Sequence, residues 1–75
     1  MVTIKVIHRS SGNPVKGKKV ALGIDAQFSN GVTHGEWTDA NGEAHFDVKP
    51  NQGKVFIDSS QRFEGNLSGQ VVVYI

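Results

Sequence analysis

Apolar residues in this chain alternate instead of recurring every three or four positions, and that property excludes helices as its main element. In "VTIKVI", Val2, Ile4 and Val6 share one face of an extended segment, with Thr3 and Lys5 on the other. Residues 2–9, 18–24, 34–39, 43–49, 54–59, 62–64 and 70–75 read as short strands. The gaps are filled by Gly, Pro, Asn, Asp and Ser, and Pro14 in "SSGNPVKG" forces Asn13 towards extended geometry. About seven strands punctuated in this way predict an all-β sandwich or barrel over residues 1–75.

The 75 residues support one domain, and a chain of this size buries roughly 60% of its unfolded surface, leaving a thin core. Without cysteine it has neither a disulfide staple nor a thiolate zinc site, and small domains of this kind often gain stability by oligomerising. Its net charge is +1, spread along the chain, so nucleic acid is not an expected partner. The densest basic run, "KGKK" at 16–19, reads as a solvated loop. No window approaches the roughly 20 apolar residues of a membrane-spanning helix. The first residues enter strand pattern with no basic or apolar leader, which leaves intracellular and exported settings equally open.

Two segments, "HRSSGNPVKGKKVAL" and "TDANGEAHFDV", resemble the turn-and-strand motifs of the carboxypeptidase regulatory-like and transthyretin-like (prealbumin-like) β-sandwich family. The likeness spans residues 2–59. It implies a small Greek-key β-sandwich of about seven strands, used as a non-catalytic module of the kind often appended to secreted peptidases, surface proteins and carbohydrate-active proteins. The family's hydroxyisourate hydrolase branch carries a first-strand histidine and a C-terminal Tyr-Arg-Gly-Ser. Here Lys5 stands at the first-strand position and the chain ends "VVVYI". The resemblance therefore implies no enzyme and no cofactor.

Asn41-Gly42 favours a two-residue turn, and a four-residue loop keeps the same side-chain parity. Either loop places Trp37 inward against Phe46, with Ala44 and Val48 also in the core. His34, Glu36, Thr38, His45 and Asp47 then form a wet face, with Glu36 opposite Asp47 in the two-residue register, and one imidazole with two carboxylates is too poorly supported for a metal site. A three-residue loop would send Trp37 to the other side. "DANGE" lacks the spacing and terminal glutamate of a calcium loop. His8 shares parity with Val6 and reads as a histidine at the rim of the core.

Three residues are candidate partner contacts. Phe28 lies isolated in "DAQFSNGVT", as a plug for the sandwich end or an anchor for a partner. Val72 and Tyr74 lie on the second face of "QVVVYI", a strand apolar on both sides and poorly guarded as an edge. The reading is a non-enzymatic binding or assembly module. Its partner is a protein, including a second copy bound through the last strand. One alternative is a carbohydrate-binding accessory domain that stacks sugars on Trp37, Phe28 or Tyr74, and another is a degenerate transthyretin-like hydrolase.

Overall fold

Alternation becomes eight strands in the computed structural model, which describes residues 1–25 and 30–75. They are β1 (Val2–Ile7), β2 (Lys19–Asp25), β3 (Asn30–Val32), β4 (Glu36–Trp37), β5 (Glu43–Phe46), β6 (Asn51–Ile57), β7 (Ser60–Leu67) and β8 (Gly69–Tyr74). Among the described residues there is no helix. The smaller sheet has the order β5-β1-β8, with β1 antiparallel to β5 and parallel to β8. The larger has the order β3-β2-β6-β7, and β4 also pairs with β2. The protein is thus an all-β sandwich.

The core follows the period-two pattern closely. Val2, Ile4 and Val6 of β1, Ala44 and Phe46 of β5, and Val71 and Val73 of β8 supply one inner face. Val20, Leu22, Val55, Ile57 and Leu67 supply the other. Val48 lies partly buried against this core. Gly53 permits a close approach within the larger sheet: a Cβ there would meet the Gly23 carbonyl oxygen and the Leu67 side chain.

β3 and β4 act as one interrupted edge beside β2. In the gap, the Thr33 N–H donates to the Leu22 carbonyl at 2.8 Å, and the Leu22 N–H donates to the Thr33 hydroxyl oxygen at 2.9 Å. A side-chain oxygen thereby replaces the backbone acceptor that the interrupted ladder lacks.

The segment after β4 departs from the sequence expectation. Gly42 donates to the Asp39 carbonyl at 2.9 Å, and the Asp39 N–H reaches the Glu43 carbonyl at 3.0 Å. Gly42 has φ 75°. This is a three-residue loop with glycine in the left-handed bulge position, not a two- or four-residue loop. The strands beyond it then separate, β4 joining β2 and β5 joining β1. The Val6 N–H donates to the Gly42 carbonyl at 2.7 Å, drawing this end of β5 onto β1.

Three corrections follow. Trp37 lies directly opposite Lys19 on the outer face of the larger sheet and is 64% exposed, so it is not packed on Phe46. Glu36 lies opposite Val20 in one sheet, and Asp47 follows β5 in the other, so the two carboxylates do not face each other. Thr38, expected on the wet face, is 4% exposed.

Thr38 is buried because it fastens β4 to the loop before β2. Its hydroxyl donates to the Val15 carbonyl at 2.7 Å and accepts from the Lys18 N–H at 2.9 Å. Its own N–H donates to the Lys18 carbonyl at 2.9 Å, and its carbonyl accepts from the Gly17 N–H at 3.0 Å. Gly17 has φ 76°, which lets the loop turn beneath the threonine.

Thr38→Val keeps the shape but orphans the Lys18 N–H and the Val15 carbonyl, so denaturant unfolding should show a loss of about 1–3 kcal/mol. Thr38→Ser keeps both bonds and should lose only about 0.8 kcal/mol for the methyl. By the same measurement, Gly53→Ala should cost about 1–3 kcal/mol through forced displacement of the Gly23 backbone. Gly31→Ala meets nothing within 4 Å and serves as the control, within about 0.5 kcal/mol of wild type.

Candidate functional site

Among the described residues, the outer face of the larger sheet carries a surface hollow. Outward positions of β2 alternate with its buried Val20 and Leu22, and they are small: Ala21 and Gly23. Phe56 lies opposite Ala21 on β6, and its ring lies close enough to Gly23 that a Cβ there would be 3.0 Å from Cε2. On the other side the β3–β4 edge rises as Val32, Thr33, His34 and Gly35. The result is an open cleft of about 490 Å³, lined by Lys19, Ala21, Phe56, Ser59 and that edge. The stem of Lys19 lies across Gly35, and Trp37 stands directly opposite Lys19 in the strand pair.

The cleft combines an apolar floor with a polar rim. Val32 is 68% exposed, and with Trp37 and Phe56 it gives the sheet a band of apolar surface. His34 supplies an imidazole to the rim, and its Nε2 lies 3.3 Å from a carboxylate oxygen of Glu36, which is not among the cleft-lining residues. Lys19 and Ser59 complete a set of donors and acceptors around the apolar floor. That division of labour, apolar walls with a few polar groups, suits a small ring-shaped ligand.

A second grouping lies by the Asp39–Glu43 turn. Asp39 Oδ1 accepts the Asn41 N–H at 2.9 Å and the Glu43 N–H at 3.0 Å. His45 Nε2 lies 4.0 Å from Asp39 Oδ2 and 3.9 Å from a Glu43 oxygen, while its Nδ1 is 2.9 Å from the Thr3 hydroxyl. The ligand atoms of Asp39, Glu43 and His45 all lie within 4.8 Å of one another, a spacing from which they could contact one cation. All three are open to water, and one Asp39 oxygen is committed to backbone amides. These properties suit a solvent-screened ion-pair cluster better than a tight metal cage. The bond from the Glu43 amide has the largest effect on Asp39, holding its carboxyl below the ordinary value. Desolvation opposes it as the next largest effect, and the Asn41 amide and the nearby His45 add smaller contributions that lower it further.

His8 is exposed, and its Nδ1 lies 2.8 Å from the Ser10 hydroxyl oxygen. Such a pair resembles a nucleophile with its base. Among the described residues, however, no carboxylate lies within ion-pair distance of His8 to orient the ring. His8, His34 and His45 therefore each have a different local partner.

Of the residues singled out from sequence as partner contacts, Val72 and Tyr74 project from the outer face of β8, 40% and 53% exposed. Phe28 lies outside the described residues. Sequence reasoning missed the cleft. Its signal was available in "VALG", where small residues take the outward positions of a strand and so leave a hollow in the sheet surface. No family model, curated protein or solved structure matches the chain.

The depressed Asp39 pKa has a definite consequence for stability. A carboxyl whose pKa is lower folded than unfolded contributes stability above the unfolded value, and loses it as pH falls through the folded one. Asp39→Asn should therefore melt below wild type at neutral pH. The gap in melting temperature should narrow as pH falls below about 4, the ordinary carboxylate range. A gap unchanged down to pH about 2 would show that ionisation of Asp39 adds nothing.

Proposed function

We propose that this protein is a non-enzymatic β-sandwich binding module that recognises a carbohydrate on the outer face of its larger sheet. The observation that carries this reading is the exposed indole of Trp37 beside a cleft with an apolar floor and a polar rim. Leaving an indole in water forgoes about 1.5–3 kcal/mol of burial energy, and no core neighbour recovers it here. A sugar ring presents an apolar C–H face and a rim of hydroxyls. The indole and Phe56 match the face, and Lys19, His34 and Ser59 match the hydroxyls.

Two further points support a binding role. The three histidines are dispersed, and among the described residues no water-excluding site brings a nucleophile, a base and a charge-stabilising group together. The sequence resemblance to carboxypeptidase regulatory-like and transthyretin-like modules also favours a recognition domain. Lys5, standing where the hydrolase branch carries histidine, lies between Glu43 and Val72 on the other sheet.

Trp37 is the chain's sole tryptophan and stands opposite the cleft-lining Lys19, so its fluorescence should respond to a ligand held against that edge. A glycan array should yield oligosaccharide hits, and titration of a hit should shift or quench the emission to saturation. Trp37→Ala should weaken binding at least ~10-fold, about 1.4 kcal/mol, while leaving the melting temperature nearly unchanged. Silence across the array with unaltered fluorescence refutes the carbohydrate. Hydrolase turnover abolished by substitution of His8, His34 or His45 refutes the non-enzymatic reading.

A further inference from the structure

Every open sheet must end in strands with unpaired backbone groups, and among the described residues three of the four sheet edges are blunted. β5 is short and carries Glu43 and His45. The β3–β4 edge is interrupted and contributes runs of three and two residues. β7 carries Arg62 and Glu64, and its pairing with β6 is broken by an irregularity at Val55/Phe56, which leaves Arg62 without an opposite residue. These are the usual protections against edge-to-edge pairing: shortness, charge and bulges. β8 has none of them. Its six residues, "GQVVVY", include no charge and no proline, and they pair with β1 in unbroken register from Val2–Gly69 to Ile7–Tyr74.

The direction of its backbone groups can be read from the strand's end. The Ile75 N–H donates to the Ile7 carbonyl at 2.9 Å, and the Arg9 N–H donates to the Ile75 carbonyl at 2.8 Å. Both groups of Ile75 thus face β1. Backbone groups alternate sides along a strand, so those of Val73 and Val71 face β1 as well, and those of Gln70, Val72 and Tyr74 face the open edge.

We infer that β8 pairs antiparallel with β8 of a second copy of this chain, about a two-fold axis at Val72. In that register the hydrogen-bonded pairs are Val72–Val72, Gln70–Tyr74 and Tyr74–Gln70, each exchanging two bonds and satisfying every outward group of the strand. Val71 of one copy comes beside Val73 of the other on the inner face, extending the two cores into one another. On the outer face Val72 meets Val72. The result is a continuous six-stranded sheet of order β5-β1-β8-β8-β1-β5, isologous as a two-fold requires.

A second copy fits this edge better than an unrelated strand because the segment is symmetric in character about Val72, with valine on both sides of the axis. Charge does not oppose it. The nearest outward-facing charge is Lys5, one strand in, so the two copies of Lys5 are three strand spacings apart, about 14 Å. That exceeds the screening length of about 8 Å at physiological salt. Each Lys5 also lies opposite Glu43. A 75-residue domain without cysteine is also the kind that gains stability from such pairing.

Light scattering of the full chain at rising concentration tests the pairing. Wild type should be a dimer at high micromolar concentration. Val72→Lys, which sets two ammonium groups face to face on the axis, should weaken dimerisation at least ~10-fold. Its far-ultraviolet circular dichroism should remain that of the sandwich. Val72→Cys makes a second test in a chain free of other cysteines. Opposed hydrogen-bonded positions have Cα atoms about 5.5 Å apart, within disulfide range. Mild oxidation should therefore link Val72→Cys into covalent dimers, and should leave Val32→Cys, on the opposite sheet, without a covalent crosslink. A monomeric wild type at high micromolar concentration overturns the inference, including the case in which the edge accepts another protein's strand. So does a dimer that survives Val72→Lys, or one that fails to crosslink at position 72.

Discussion

The arrangement of both sheets depends on where the chain goes after Thr38. Four hydrogen bonds tie this one residue to the 15–18 loop, and they hold β4 on β2. A few residues later the Gly42 carbonyl accepts from Val6, and β5 is committed to β1. Residues that could have formed a local hairpin are thereby divided between two sheets. Because the Thr38 hydroxyl both donates and accepts in a near-dry setting, no apolar residue of the same shape can replace it without stranding two backbone groups. The outward position of Trp37 follows from the same division, since its neighbour faces the loop and strands alternate.

Much of the core was legible because period-two alternation needs only one strand at a time. Val2, Ile4 and Val6, Val20 and Leu22, Ala44 and Phe46 all lie inside, as their parity requires. What was not legible was parity carried across a loop. The same "ANG" can close a two-, three- or four-residue loop, and one residue of difference moves Trp37 from core to surface. β3 left no signal, because a three-residue edge needs no apolar alternation and is anchored next door by the Thr33 hydroxyl. β7 was read only as residues 62–64. Its alternation is interrupted at the irregularity, and its turn with β6 uses Asp58 and Ser59 at φ 50° and 70° in place of the usual glycine.

The two outer faces are therefore different surfaces. The larger sheet exposes Trp37 and Val32 over a hollow made by Ala21 and Gly23. The smaller sheet is laid out in rows: His45–Thr3–Gln70, then Glu43–Lys5–Val72, then Ile7–Tyr74. Charge is concentrated at its β5 side and apolar surface at its β8 side. The cleft was harder to infer from sequence than the unguarded strand, because a hollow arises from residues on β2, β6 and the β3–β4 edge that only pairing brings together.

The parallel β1–β8 ladder has a mechanical consequence. Because the first and last strands run side by side in the same direction, the start of β1 and the end of β8 lie at opposite ends of their shared ladder. Tension applied through the chain on either side of the domain pulls the two strands past each other lengthwise. The ladder bonds are then loaded together in shear, not opened one after another like a zipper. The pairing that closes the smaller sheet is in this way also a clamp against stretching.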